Sequence, residues 1–458
     1  MHTARASRIV FALLFVSTVP VSAGDWRAGA AKTAITPQRP MWMSGYGSRD
    51  RPSEGTLHDL WCKALAIEDA GGRRAVVITL DLCGISKSVA ETTCEKIKRK
   101  IGLERESIMI ACSHTHTGPM IESNLETMFD LSAEENSKIA AYTRSLEDKI
   151  ASTVAAAVAN LEPARLAWAN GSATYAVNRR NNPEAKVPEL RERGELKGPV
   201  DHEVPVLSVR SLSGQVKAIV FGYACHATVL SFYQWTGDHP GFAQIELEKN
   251  HPGAVALFFA GCGADQNPLP RRTVEHAEQY GHELAASVES VLRGTMSSVG
   301  DRLSMRYEKF DLPFDSLPTR DDLKRQLEGS NKYEARRAKL LLAEIERKGN
   351  LSPTYPYPVQ VWKLHGAIGG DDLTWIALGG EVTVGYSVRL KRELGPGRTW
   401  VTGYANDVMA YVPTRGVWDE GGYEGAGAMV YYGLPTRWAP TVEELIVEKV
   451  HDLVGLQR

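Results

Sequence analysis

Five short apolar runs, each followed by glycine or polar residues, constrain this chain more than any other feature. They read RAVVITLDL from Arg74, SIMIACSH from Ser107, KAIVFGYACH from Lys217, AVALFFAGCG from Ala254 and LTWIALGG from Leu373. Runs of this length and β-branched content behave as buried strands. Apolar residues at helical spacing occupy residues 88–101, 137–161, 276–292 and 382–394. Strands alternating with helices indicate an α/β fold, with mixed sheet or sheets flanked by helices. With 458 residues and no repeat or clear linker, residues 24–458 read as a single large domain. A peripheral helical segment around 318–349 is rich in Lys, Arg, Glu and Leu and is interrupted near Gly329-Ser330; its charges read as a solvated face. The polar stretch 181–199 reads as a long loop, a feature that is commonly functional in compact domains.

The unusual polar residues follow these strands. His114 and His116 follow the run ending at Cys112, and His226 follows Cys225. Gly261 to Pro268 follow Ala260, and Glu381 follows Leu378. Ligands bind beyond the carboxyl ends of strands in open α/β sheets, so these loops are candidates to converge if the strands run parallel. Two His and one Glu form a donor set known from catalytic zinc sites. Histidines one apart in an extended chain point to one face, so one ring can bind a metal while the other moves a proton. Each residue also has a plainer reading. The HxH pair fits a surface turn, His226 a satisfied core histidine, and Glu381 a carboxylate at a helix N-terminus.

The first residues resemble a secretory signal. Arg5 and Arg8 precede an apolar run from Ile9 to Val16, and Val21-Ser22-Ala23 offer a cleavage site, which assigns residues 1–23 to a signal peptide. The expectation is an exported protein, periplasmic or extracellular, with no transmembrane segment in the mature chain. A net charge of −2 without a basic stripe gives no reason to expect nucleic acid. Six cysteines without a CxxC, four of them in or just after apolar runs, read mostly as core thiols, leaving room for one disulfide of unread pairing.

Several segments, in order, carry a family resemblance. GAAKTAITP, MSGYGS and GTLHDLWCKALAIED lie near the start, followed by SHTHTGP, YAVNRRNNP and VDHEVPVLSV. Then come ACHATVL with TGDHPGFAQIELEK, GGEVTVGYSVRLK, and AYVPTRGVWDEGGYEGAGAM. Together they resemble the catalytic domain of the neutral/alkaline non-lysosomal ceramidases. The resemblance implies a zinc site of His114, His226, Glu381 and Tyr411, with His116 handling protons and Arg179 and Tyr423 holding the substrate amide and its oxyanion. It implies a zinc-dependent amidohydrolase that cleaves a ceramide-like lipid, or another N-acyl amine, at a membrane surface. On their own, Tyr411 and Tyr423 read as packing aromatics and Arg179 as a surface cation.

Two departures from the family pattern bear on substrate. GADQNP, residues 263–268, stands where the family carries a GDVSPN-type hexapeptide, so Gln266 occupies the apparent serine position. That excludes a serine nucleophile there and leaves Asp265 and Gln266 to touch substrate or hold the loop. The chain also ends soon after the catalytic motifs, which leads to the expectation that the family's C-terminal β-sandwich is lacking. Readings that stay open are a zinc-dependent esterase or other hydrolase, and a binding protein that has lost catalysis.

Overall fold

The structure is a computed structural model that describes residues 26–455. The signal-peptide reading lies outside the described residues. All five apolar runs form strands: Arg74–Leu80, Ile108–Cys112, Val216–Tyr223, Val255–Ala260 and Leu373–Leu378. Helices Lys87–Ile101, Ala133–Ala159, Val274–Arg293 and Val384–Leu394 occupy the helical-period segments. The second begins at Ser132, whose hydroxyl accepts from the Glu135 N–H at 3.2 Å and satisfies one of the free amides of the first turn.

These strands belong to a 12-stranded mixed sheet that branches at Glu162–Ser172. From that strand one arm runs through Trp26–Ala34 and Trp61–Glu68, both antiparallel pairings, to Arg74–Leu80, which takes Ile108–Cys112 in parallel. Another runs through Glu203–Ser211 and Val216–Tyr223 to Val255–Ala260, the last pairing parallel. The third runs through the long antiparallel pair Ser297–Pro313 and Thr354–Gly366 to Leu373–Leu378, which takes Thr399–Thr402 in parallel.

Alternation along the strands sorts side chains into separate cores. In the strand 108–112, Ile108 and Ile110 pack with the helix residues Val89, Ile97, Leu146 and Ile150, whereas Met109 and Ala111 join a second core. That second core also takes Leu257 and Phe259 from one arm and Trp375, Ala377 and Trp400 from another, so it is walled by strands on both sides. A third core joins Ile376 and Leu378 to Leu390, Ile446 and Val450 on helices. The layers therefore run helix, sheet, sheet, helix. Emptying one fully buried aromatic site, Phe258→Ala for example, costs about 3–5 kcal/mol.

The charged segment near 318–349 is two helices, Arg320–Glu328 and Lys332–Lys348, with the break at Gly329 as the sequence suggests. Thr319 and Asp322 make a reciprocal capping box at the first. The second is more than a solvated face, because Tyr333 Oη donates to Gly47 O at 3.0 Å and Arg336 to Met128 O at 2.8 Å. The stretch 181–199 contains a short helix, Val187–Glu192. All six cysteines are buried and free, so no disulfide forms among the described residues. No helix of the described residues is long and apolar enough to cross a membrane.

Candidate active site

The three parallel pairings place the carboxyl ends of the relevant strands together, and the segment 402–406 stitches those ends. Cys112 N donates to Tyr404 O, Gly403 N to Ala260 O and Tyr404 N to Gly380 O. His114 stands two residues past the strand 108–112 with φ +59, so its ring is aimed by a left-handed residue rather than by strand pleat. The sequence expectation that the two histidines share a strand face is corrected to this extent, although their rings do meet edge to face at 4.7 Å. His226 follows the strand 216–223. Glu381 and Tyr411, thirty residues apart in the chain, become neighbours because Glu381–Val382 pairs in parallel with Tyr411–Val412.

The ligand atoms of His114, His226 and Glu381 all lie within 4.8 Å of one another, and all three residues are buried. His114 Nδ1 meets Cys83 O at 2.5 Å and His226 Nδ1 meets Gly263 O at 2.7 Å. A carbonyl only accepts, so each Nδ1 donates and each Nε2 presents its lone pair. Both Nε2 atoms face Glu381 Oε2 at 3.2 Å, an oxygen buried without a hydrogen bond. Three lone pairs turned on one point repel, and positive charge at that point, supplied by a proton or by a metal cation, relieves the repulsion. The residues present therefore fit a metal ion.

Electrostatics make the same demand for positive charge. Burial works against an imidazolium at His114, yet the Glu381 carboxylate overrides it and lifts the pKa to about 10. Burial also disfavours the Glu381 carboxylate, but His114 and His226 hold its pKa well below the usual range. Burial, followed by the Arg179 charge, lowers His226 to about 4. His116 is held well below its ordinary value by burial and by the positive potential of His114 and His226. Its Nε2 is 3.0 Å from His114 Nε2, and its Nδ1 is buried without a partner.

Above this cluster opens a cavity of about 610 Å³ whose wall includes His116, His226, Arg179, Tyr411 and Tyr423. Arg179 is a half-buried hub, its side chain 19% exposed. It donates to Glu424 at 2.8 Å, to Asn267 at 3.3 Å and to Tyr411 Oη at 3.2 Å, and its Nη1 lies 3.5 Å from His226 Nε2. Tyr411 Oη is 3.3 Å from His226 Nε2, beside the ligand cluster. Tyr423 stacks edge-on against Tyr411 at 5.2 Å and is 46% exposed, facing the opening.

Asp265 and Gln266 do not line that cavity. Asp265 accepts from Val384 N at 2.7 Å and from Asn178 at 3.3 Å, while Gln266 donates to Ala224 O and accepts from Asp201 N. Both side chains are buried, and these bonds run to the protein. These bonds tie both side chains into the loop 263–268. Sequence reasoning missed Tyr432, whose hydroxyl donates to Glu381 Oε1, and Tyr404, which stacks on His114 at 4.2 Å. Neither tyrosine stands in a periodic pattern or a spaced motif, and only the fold brings them to the site.

The sequence profile described as neutral/alkaline non-lysosomal ceramidase, N-terminal, matches residues 26–267, more than half of the chain. The chain belongs to the neutral/alkaline non-lysosomal ceramidase family. A family member, the neutral ceramidase of Pseudomonas aeruginosa, is 24% identical over 94% of this chain and 74% of its own length. Neutral ceramidase A of Dictyostelium discoideum is 23% identical over 48% of this chain, and neutral ceramidase 1 of Arabidopsis thaliana 26% over 57%; the matches span 31% and 34% of those proteins. The crystal structure of the Pseudomonas aeruginosa enzyme superposes with a TM-score of 0.70 at 21% identity, over 95% of this chain and 75% of that one. The family's fold is thus the α/β architecture described above.

Proposed function

We propose that this chain is an exported zinc-dependent amide hydrolase that cleaves the N-acyl bond of a ceramide-like lipid or another N-acyl amine. The observation that carries this reading is the convergence of His114 Nε2, His226 Nε2 and Glu381 Oε2 behind a cavity whose wall His226 itself shares with His116, Arg179 and Tyr411. Membership of a family whose relatives are named neutral ceramidases supports the amide. Two imidazoles and one carboxylate suit zinc, with Tyr411 placed beside them as a further oxygen ligand. A zinc ion so held supplies Lewis acidity, which polarises a carbonyl and acidifies water near neutrality.

The remaining chemistry belongs to side chains. Arg179 and Tyr423 are assigned to the amide oxygen as negative charge develops on it, where one well-placed donor is worth about 3 kcal/mol. Arg179 is suited because Glu424 and Tyr411 already orient its guanidinium, so little reorganisation is needed. His116, neutral at pH 7, accepts a proton from the attacking water and returns it to the leaving amine. No hydroxyl nucleophile is required, in keeping with Gln266 at the apparent serine position.

Purified protein is expected to hold about one zinc per chain and to hydrolyse at least one fatty-acyl amide, and His226→Ala is expected to lose most of the metal. Full metal occupancy in the His114→Ala, His226→Ala double variant removes the site assignment. Turnover of esters with none of any amide favours the esterase reading.

A further inference from the structure

The cavity wall carries four guanidinium groups, Arg179, Arg180, Arg271 and Arg272, against two carboxylates, Glu184 and Glu424. Those carboxylates are committed. Glu424 takes Arg179 at 2.8 Å and Arg180 at 2.5 Å, and Glu184 takes Arg271 through two bonds of 3.0 and 2.7 Å. Arg272 has no carboxylate within ion-pair distance among the described residues. It is exposed, and its only side-chain hydrogen bond among them runs to Tyr46 Oη at 3.4 Å. Its backbone is left-handed, φ +97, and is tied by its N–H to Val229 O at 2.8 Å, three residues after His226. A wall of this kind suits a neutral two-chain lipid poorly. Apolar ligands take predominantly apolar pockets, and here Leu269 and Pro183 are the aliphatic lining.

We infer that the amine half of the natural substrate carries an anionic group, held by Arg272 with Arg271 at the cavity mouth. Guanidinium recognises carboxylate and phosphate through its planar fork of donors. The choice of the amine half follows from position. Arg272 lies over the Tyr46 ring at 5.7 Å, and that ring also meets Arg49 at 5.0 Å and, edge-on, His116 at 4.8 Å. His116 is the residue assigned to the leaving amine, so Arg272 stands one tyrosine ring from that side of the scissile bond. Arg179 and Tyr423, the residues assigned to the amide oxygen, stand together on the carbonyl side, 5.8 Å from guanidinium to ring. The inference rests on the amide-hydrolase reading and narrows it to amides such as N-acyl amino acids or N-acyl amines bearing a phosphate.

The test compares N-dodecanoylglycine, N-dodecanoylethanolamine, a short-chain ceramide and its 1-phosphate as substrates of the zinc-loaded enzyme. Binding of the first two is measured separately by calorimetry. The expected result is kcat/KM at least tenfold higher for an anionic amide than for its neutral counterpart, with the difference in KM. Arg272→Ala is expected to lower that ratio ten- to a hundredfold, the usual weight of a charged hydrogen bond, and Arg272→Lys to restore part of it at unchanged zinc content. Preference for N-dodecanoylglycine assigns a carboxylate, and preference for the 1-phosphate assigns a phosphate. Equal or faster turnover of the neutral amides, or an unchanged ratio in Arg272→Ala, overturns the inference and leaves the hydrolase reading intact. Selective binding of the anionic amide without turnover of any amide has the opposite effect.

Discussion

His116 and His114 meet through their Nε2 atoms at 3.0 Å, yet they differ in what holds the other ring nitrogen. His114 Nδ1 is spent on Cys83 O, which orients the ring as a ligand is oriented, whereas His116 Nδ1 has no partner. A ring free at one nitrogen and held neutral by burial is suited to gaining and losing a proton. His116→Ala is therefore expected to keep its zinc and lose about a hundredfold or more in kcat, the usual contribution of a positioned acid or base. Metal analysis alongside steady-state kinetics separates the roles, because zinc loss equal to that of His114→Ala makes His116 a ligand. At this scale the sequence was most informative where residues follow strands: His114, His226 and Glu381 each stand just past a run that reads as buried. Tyr432 was not legible, since its hydroxyl reaches Glu381 only from the end of a short 3₁₀ helix, Gly427–Tyr432, whose course no local pattern encodes.

Among the elements, the loop before the strand 55–56 shapes the histidine turn from outside. Ser44 N donates to Gly118 O at 2.9 Å, and Arg49 donates to Ser44 O at 2.6 Å and His116 O at 2.7 Å, so the two segments are laced together. Gly45 between them has φ +96, and a Cβ there would stand 2.5 Å from His116 Cγ and Nδ1. Gly45→Ala therefore combines left-handed strain of about 1–2 kcal/mol with a collision that moves the His116 ring. The expected outcome is retained zinc with kcat lowered at least tenfold, read by the same pair of measurements; unchanged kcat shows that the ring's placement does not limit turnover. The parallel strands were legible because burial on both faces makes them continuously apolar. The long antiparallel pair 297–313 and 354–366 was not, because Ser297–Pro313 is largely exposed and its partner lies some fifty residues away.

For the whole molecule, the joint between the third arm of the sheet and the site rests on a buried acid. Asp407 accepts from Tyr355 Oη at 2.7 Å, and its backbone carbonyl accepts from Gly380 N, next to Glu381. Burial raises its pKa from 3.8 to about 7 despite that hydrogen bond and the nearby Lys87. The folded chain thus binds more protons at this position than the unfolded chain between about pH 4 and 7, so stability falls as pH rises through that window. Below pH 4 both states are protonated and the group makes no difference. Above pH 7 both are ionised, and the folded state carries the full cost of a buried carboxylate, on the order of 2–4 kcal/mol. Asp407→Asn keeps an oxygen for Tyr355 and removes the ionisation. Its Tm is expected to vary less than that of the wild type between pH 5 and 8 and to exceed it at pH 8, as measured by thermal unfolding at equal zinc content. A wild-type Tm that rises over the same interval, with Asp407→Asn following it in parallel, shows that this carboxyl ionises freely in the fold and that the joint is held by packing alone.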